Sequence, residues 1–419
     1  MNRLKRIFIA VALTAVFLGA PKAAGQTISP YSKFGYGLLD NNATSAQRQM
    51  GGVGYAMASG RQINVMNPAS YAAMDSLTFL FDMGIDFTIL KSTDHNDKGD
   101  MVKDTQKGGG LDYITMQVPI AKRFGASFGL LPYSSVGYAF GSEIKNGLYS
   151  RQGQGGINQL YLGFAGKVID GLSVGFNASY LFGNVINDVT VETNGGSSSL
   201  FEQVMQVRDY RFQFGAQYHF NIGRKNRFGV GLTYSPKKAL LGKAWVTKYD
   251  VNADEAPDTI ATARLRHNAQ LAESWGAGLS YEWDKKLFVE ADFTYQPWKK
   301  VKTLQLKNFE GTKFADRYQA NLGAAYTPAQ RGGFFKTTTY RLGGFFNRDY
   351  MMVGDSHVKE VGFGCGFGFP AISSKTVINL GFEYRHRAST NKNLLKENYF
   401  CIRLGINFNE LWFFQNKIN

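Results

Sequence analysis

The chain has 419 residues, a net charge of +15, 48 Gly against 10 Pro, 22 Tyr and 33 Phe. That length asks for a large barrel or several domains, and the Gly- and aromatic-rich mix suits many strands joined by tight turns better than helices. The basic residues are scattered, with no basic cluster interleaved with aromatics, which argues against a nucleic-acid partner. The slightly negative mean hydropathy argues against a helical membrane protein but not a membrane barrel, whose strands show lipid only every second residue.

In chain order, the first element is an export signal. Arg3, Lys5 and Arg6 form a basic start, Ile7 to Leu18 an apolar stretch and Ala23-Ala24-Gly25 a small-residue cleavage site, so residues 1–25 read as a signal peptide. Losing Arg3, Lys5, Arg6 and Lys22 removes four positive charges from the +15 and leaves +11. No later segment approaches the ~20 apolar residues of a membrane helix.

Residues 26–76 read as an N-terminal hatch, or plug. Tyr31 to Asp40 is aromatic and irregular, and Asn41 to Met50 has room for one or two helical turns. Met50 to Tyr71 (MGGVGYAMASGRQINVMNPASY) is rich in Gly and Ala and too poor in large apolar side chains to build its own core. It is expected to sit inside a closed sheet formed by the rest. Its sharpest feature is Asn67-Pro68-Ala69, where Pro68 fixes φ and pushes Asn67 into an extended conformation, a turn just before the first strand.

From residue 77 to 419 the pattern has period 2, starting with Leu77, Phe79, Phe81, Met83, Ile85 and Phe87. About fourteen runs follow one another, from 77–91 to 397–411, each long enough for the roughly 9–11 residues of a tilted membrane strand. Short connections, such as Asp170-Gly171 and Asp284 to Lys286, alternate with longer polar ones, of which Ser92 to Lys107 is the clearest. Short turns at one rim and loops at the other predict an all-β transmembrane antiparallel barrel in the bacterial outer membrane, with the short turns and both termini periplasmic. One face of the strands is apolar (Ile114, Met116, Val118; Phe400, Ile402, Leu404) and is expected to meet lipid. The other carries Asp82, Asp86, Asp112, Asp209, Glu290, Asp292 and Glu383 with Arg211, Arg264, Arg266, Arg317, Arg341, Arg385 and Arg403, and is expected to line the lumen. Cys365 shares the first face and Cys401 the second, so both are expected to be free thiols. Gly362, Gly364, Gly366 and Gly368 leave a bare inward stripe, either room for the plug or the floor of a ligand passage.

These residues resemble a known family. Met50 to Leu77 with Asn67-Pro68-Ala69, Phe124 to Tyr138 (FGASFGLLPYSSVGY) and Ala269 to Trp298, ending in Tyr295-x-x-Trp298, are similar to stretches of the FadL family of outer-membrane hydrocarbon and fatty-acid transporters. Tyr31 to Asp40 and the terminal NELWFFQNKIN look like a Bacteroidetes-type branch. The resemblance implies a fourteen-stranded barrel plugged by an N-terminal hatch, with substrate leaving sideways at a kinked strand. Asn67, Pro68 and Ala69 would belong to the hatch. Pro132, which lacks an N–H, would open the wall or merely curve it. Arg341 and Arg403 are candidates for a carboxylate headgroup and equally for pairing with the acids beside them.

Catalytic chemistry is not expected. Gly125-Ala126-Ser127-Phe128-Gly129 fits a nucleophile-elbow pattern but lies within a strand with no helix after it. His95, His219, His267, His357 and His386 are scattered singly, without metal-ligand spacing. Glu290 and Asp292 read as part of a solvated lumen wall. No cofactor or metal is expected, and the partners are outer-membrane lipid and a hydrophobic small molecule. The leading expectation is passive, plug-gated uptake of small hydrophobic or amphipathic molecules such as long-chain fatty acids. The rival is a non-transporting barrel within a larger secretion or barrel-assembly complex, with Ser92 to Gly108 and a periplasmic leader, Gln26 to Asp40, as docking surfaces for other envelope proteins. A membrane-embedded hydrolase is the least supported.

Overall fold

The structure is a computed structural model that describes residues 29–411, apart from 76, 96–99, 145–146, 194–197, 252–257, 266–268, 303–312, 372–374 and 392–393. The signal peptide and most of the NELWFFQNKIN terminus therefore lie outside the described residues.

Alternating side chains build a closed antiparallel barrel of 14 strands. They are β1 (Thr78–His95), β2 (Met101–Ala121), β3 (Phe124–Ile144), β4 (Gly147–Ile169), β5 (Leu172–Thr193), β6 (Ser198–Ile222), β7 (Asn226–Ser235 continued by Gly242–Val251), β8 (Asp258–Leu265 continued by Ser274–Trp283), β9 (Leu287–Gln296), β10 (Arg317–Tyr326), β11 (Thr339–Val353), β12 (Ser356–Pro370), β13 (Val377–Ser389) and β14 (Lys396–Leu411). β14 pairs with β1 from Lys396↔Thr93 to Leu411↔Thr78, which closes the ring. The two halves of β7 both pair with β6, and a small sheet of Lys238–Ala239 with Gln270–Leu271 fills the interruptions of β7 and β8.

Outward positions such as Phe128, Leu160, Phe212, Leu322, Phe363 and Ile402 are exposed, as lipid-facing residues of a barrel are. Cys365 is half-buried on this face and Cys401 is buried on the other, and both are free. The rim where β1 begins and β14 ends, called lower below, has the short turns.

The upper rim departs from expectation. Ser92 to His95 and Met101 to Lys107 are strand rather than loop, because β1 runs on to His95 and pairs with β2 from Thr93↔Lys103 to His95↔Met101. β3 to β6 have 21, 23, 22 and 25 residues, about twice what a crossing needs, so several hairpins stand above the membrane as paired strand. Polar alternation outside lipid keeps a ladder as well as apolar alternation does inside it. Arg264, expected in the lumen, is exposed on such an extension, and Arg266 is outside the described residues.

Candidate functional site

The interior is filled by residues 29–75, and the barrel wall is shaped to receive them. Twelve of the fourteen strands present an inward glycine to this segment: Gly84, Gly125, Gly163, Gly175, Gly215, Gly231, Gly276, Gly323, Gly343, Gly364, Gly381 and Gly405. The contacts follow the chain around the inner wall, with Ser45 against β14 and β1, Gln49 against β12 and β13, Met50 against β10 and β11, Tyr55 against β7 and β8, and Asn67 to Tyr71 against β3 to β6. The two strands without such a glycine grip the segment by hydrogen bonds instead. From β2, Tyr113 Oη accepts from the Ser45 N–H (2.8 Å) and Gln117 donates to the Tyr71 carbonyl (3.3 Å). From β9, Asp292 accepts from the N–H groups of Gly54 (2.7 Å) and Tyr55 (3.0 Å), and Glu290 from that of Ala56 (2.6 Å). Glu290 and Asp292 are therefore not a solvated wall: they are 0% and 5% exposed and hold the inner segment. Replacing Asp292 by Ala strands two buried N–H groups, and should lower the barrel's thermal unfolding midpoint by the equivalent of about 2–4 kcal/mol in a heat-modifiable gel-mobility assay.

Asn67 serves the same purpose. Its side chain caps the 3-10 turn Pro68–Ala73 by accepting from the Ala69 N–H (3.1 Å). The same side chain donates to the carbonyls of Tyr55 (2.7 Å), Ala216 (3.2 Å) and Leu232 (3.3 Å). Arg341 donates to Gln49 (3.0 Å) and Asn379 (2.8 Å). Of the bare stripe, Gly364 lies against the Arg48 carbonyl and Gly366 against Gln49, whereas Gly362 faces the Phe345 ring.

The direction of the segment corrects the expected periplasmic leader. Ser29 donates from its N–H to the Gly137 carbonyl (2.6 Å) and from Oγ to Glu397 (2.8 Å) at the upper start of β14. The chain thus descends from the upper half to Tyr71 near the lower rim. On the way Tyr36 packs beside Trp298 (5.8 Å between ring centroids) and Phe314 (6.5 Å), in an apolar cluster with Tyr31, Leu38, Leu240, Leu271 and Tyr350 that caps the lumen.

Between cap and lower packing lies a cavity of about 630 Å³ lined by charged side chains of strands and segment alike. Arg387 pairs with Glu360 (2.9 Å), Arg385 with Glu383 (3.0 Å) and Glu360 (3.4 Å), Arg403 with Glu383, and Arg48 with Asp40 (2.6 Å) and Asp112 (3.4 Å). Among the described residues, the Nε–H groups of Arg387 and Arg403 nonetheless have no hydrogen-bond acceptor. Arg317, 6% exposed, donates to side-chain amides among the described residues, Gln319 (2.7 Å), Asn347 (3.1 Å) and Gln296 (3.4 Å).

The cavity reaches the wall at an unpaired seam. β2 and β3 pair only from Ala121↔Phe124 to Ile114↔Leu130, so residues 101–113 and 131–144 have no ladder between them. The seam opens about 15–20 Å above the lower rim, within the depth of the hydrocarbon layer. Pro132 sits at its start, where a register shift between Pro132 and Ser134 bulges Tyr133. Leu111 to Ile114 on one side and Leu130 to Pro132 on the other line both seam and cavity. The inner segment covers part of the open edge: Leu38 and Leu39 pair with Ser135 and Ser134, and the Asp40 N–H donates to the Tyr133 carbonyl (3.0 Å).

Of the residues singled out in the sequence, Pro132 and Arg403 therefore line the cavity, whereas Asn67, Pro68, Ala69, Arg341, Gly364 and Gly366 pack the segment lower down. Sequence reading missed Arg48, Glu360 and Arg387; their inward phase was legible, but their convergence depends on strand register. Among the described residues no group of three or more His, Cys, Asp or Glu is placed to hold a metal.

Comparison with solved structures places this architecture. The chain superposes on the CymD monoaromatic hydrocarbon channel with a TM-score of 0.59 at 16% identity, covering 88% of this chain and 97% of that one. The corresponding values are 0.61, 11%, 88% and 99% for a Pseudomonas aeruginosa FadL homologue, and 0.60, 15%, 88% and 99% for the P. putida toluene transporter TodX. At these identities the likeness is one of fold. A comparison with curated proteins returns no match. The match that covers the chain by sequence is to the family described as BamG, over residues 3–419, and the chain belongs to the BamG family.

Proposed function

We propose that this protein is a passive outer-membrane channel for small amphipathic molecules, gated by residues 29–75, with long-chain fatty acids as the substrate class. One observation carries the reading: a chamber rich in arginine meets the membrane side-on at the β2–β3 seam. A molecule with an anionic head and an apolar tail fits both parts. Its head takes the unused donors of Arg387 and Arg403, and its tail lies in the seam. The architecture shared with hydrocarbon channels supports the same reading, and the aromatic opening Tyr31 to Asp40 supports the Bacteroidetes-type branch.

The test is binding and uptake of a labelled long-chain fatty acid in liposomes, comparing wild type with Pro132→Ala and with a variant lacking Asn67 to Ala69. Saturable uptake that changes in either variant is expected. A folded wild-type barrel that binds nothing overturns it.

A second reading is favoured by the density of contacts along residues 29–75, which seals the lumen above and below the chamber. In it the barrel transports nothing and serves as a subunit of a larger secretion or barrel-assembly complex. A partner retained at fixed stoichiometry after mild detergent extraction, together with no flux, supports it.

A further inference from the structure

The lower rim carries a charge pattern that neither reading uses. Six turns connect strands there; five contain an exposed basic residue with no acidic partner among the described residues, and at the β4–β5 turn such a residue lies just before it on β4. Going round, these are Lys122, Lys167, Arg224, Lys285, Lys336 and Lys375. Most acids of the same rim are already engaged: Asp170 with Arg123 (3.8 Å), Glu282 with Arg227 (3.5 Å), Asp284 with Lys286 (3.1 Å) and Asp75 with Arg61 (3.9 Å), which leaves the exposed Glu410 at the end of β14. The rim is thus a ring of uncompensated positive charge. The upper hairpins mix the signs, with Lys103 beside Asp104 and Lys248 beside Asp250.

The longest lower turn adds an apolar element. Its short helix, Phe334–Thr337, leaves Phe334 and Phe335 49% and 75% exposed, directly before Lys336. Phe334 stacks on Phe369 (5.5 Å, 10° between planes), which stacks on Phe367 (5.8 Å) of the lipid-facing wall. The turn's aromatics are therefore a continuation of the surface that meets lipid. Aromatic rings at such a level, with cations beside them, suit the boundary between acyl chains and headgroups.

We propose that this rim binds the phosphodiester headgroups of anionic phospholipids in the periplasmic leaflet, with Phe334 and Phe335 wedged among the upper acyl carbons. A lipid ligand is favoured over an acidic protein because the charges are spread over six of the rim's connections, whereas a docked protein covers one sector. The inference is independent of whether the barrel transports or only scaffolds.

The full-length mature chain would be reconstituted in zwitterionic nanodiscs containing about one quarter phosphatidylglycerol, and the lipids retained on transfer to detergent counted by native mass spectrometry. Wild type should retain phosphatidylglycerol at least about threefold above its bulk share. The quadruple variant Lys122→Gln/Arg224→Gln/Lys285→Gln/Lys336→Gln should retain it at the bulk share. A matched upper-rim variant, Lys103→Gln/Lys107→Gln/Lys243→Gln/Lys248→Gln, should behave as wild type. No enrichment in wild type, or equal loss in both variants, overturns the proposal; heat-modifiable gel mobility verifies that each barrel is folded. Phe335→Trp provides an independent check. Its fluorescence should be quenched by lipids brominated near the headgroup and shielded from aqueous acrylamide, and the opposite pattern removes the wedge.

Discussion

Substituting Ala for Gly231 should destabilise the barrel by about 3 kcal/mol, and Gly343→Ala should do nearly as much. At both positions a single added methyl group overlaps backbone rather than a movable side chain: the Tyr55 carbonyl at Gly231, and the peptide between Met50 and Gly51 at Gly343. The Tyr55 carbonyl cannot retreat cheaply, because it accepts hydrogen bonds from Asn67 (2.7 Å) and Gln217 (2.9 Å). Overpacking without an escape route typically costs about 1–3 kcal/mol, and here the upper end applies because relief requires moving the inner segment. The unfolding midpoint by heat-modifiable mobility should fall, and protease should cut between Met50 and Tyr71 in the otherwise intact barrel. An exposed control, Gly333, has no neighbouring atom within reach of an added Cβ and an ordinary negative φ, and should tolerate Ala far better. Equal midpoints for Gly231→Ala and wild type would show that the segment is loosely held.

A comparably large effect is expected at the ion pairs of the chamber. Arg403 and Glu383 are both at most one-tenth exposed, with side-chain values of 7% and 8%, and they bond to each other. Arg403→Met leaves the nearly buried carboxylate short of a partner. Breaking a buried pair from one side costs about 3–5 kcal/mol, whereas replacing both members by apolar residues is often close to neutral. The double variant Arg403→Met/Glu383→Met should therefore recover part of the loss. Recovery will be incomplete, because Glu383 also lies 3.0 Å from Arg385, which then loses one of its two carboxylates. Single variants whose effects simply add would show that the pair carries no coupling.

The comparison of sequence with structure divides along one line. Whatever depends on a single strand was legible. Phe400, Ile402 and Leu404 alternate with Cys401 and Arg403, and that alone assigns the faces of the strand; the same alternation at Cys365 gave the free thiols, and counting such runs gave about fourteen strands. Features that depend on two strands were not. The seam arises because Ile114 and Leu130 are the last partners of their ladder, a matter of register that no local pattern states. The triple glycine Gly108-Gly109-Gly110 on β2 was the available hint that this edge differs. The same holds for Glu290 and Asp292, whose inward phase was evident but whose partners, the N–H groups of Gly54 to Ala56, are more than two hundred residues away. The polar stretch Ser92 to Lys107 was misread for another reason. Polarity marks absence from lipid, and above the membrane it says little about whether a strand continues.

The course of residues 29–75 also bears on the order in which the molecule is made. The segment runs from the upper half down to the lower rim, and β1 then pairs with β14, the last strand synthesised. A finished ring would have to be threaded by a chain that presses against glycines on twelve of its strands. The reverse sequence of events, in which an open sheet curls around the segment and the β1–β14 joint is made last, avoids that threading. On that account the inward glycines are an imprint of the template on which the sheet took its curvature.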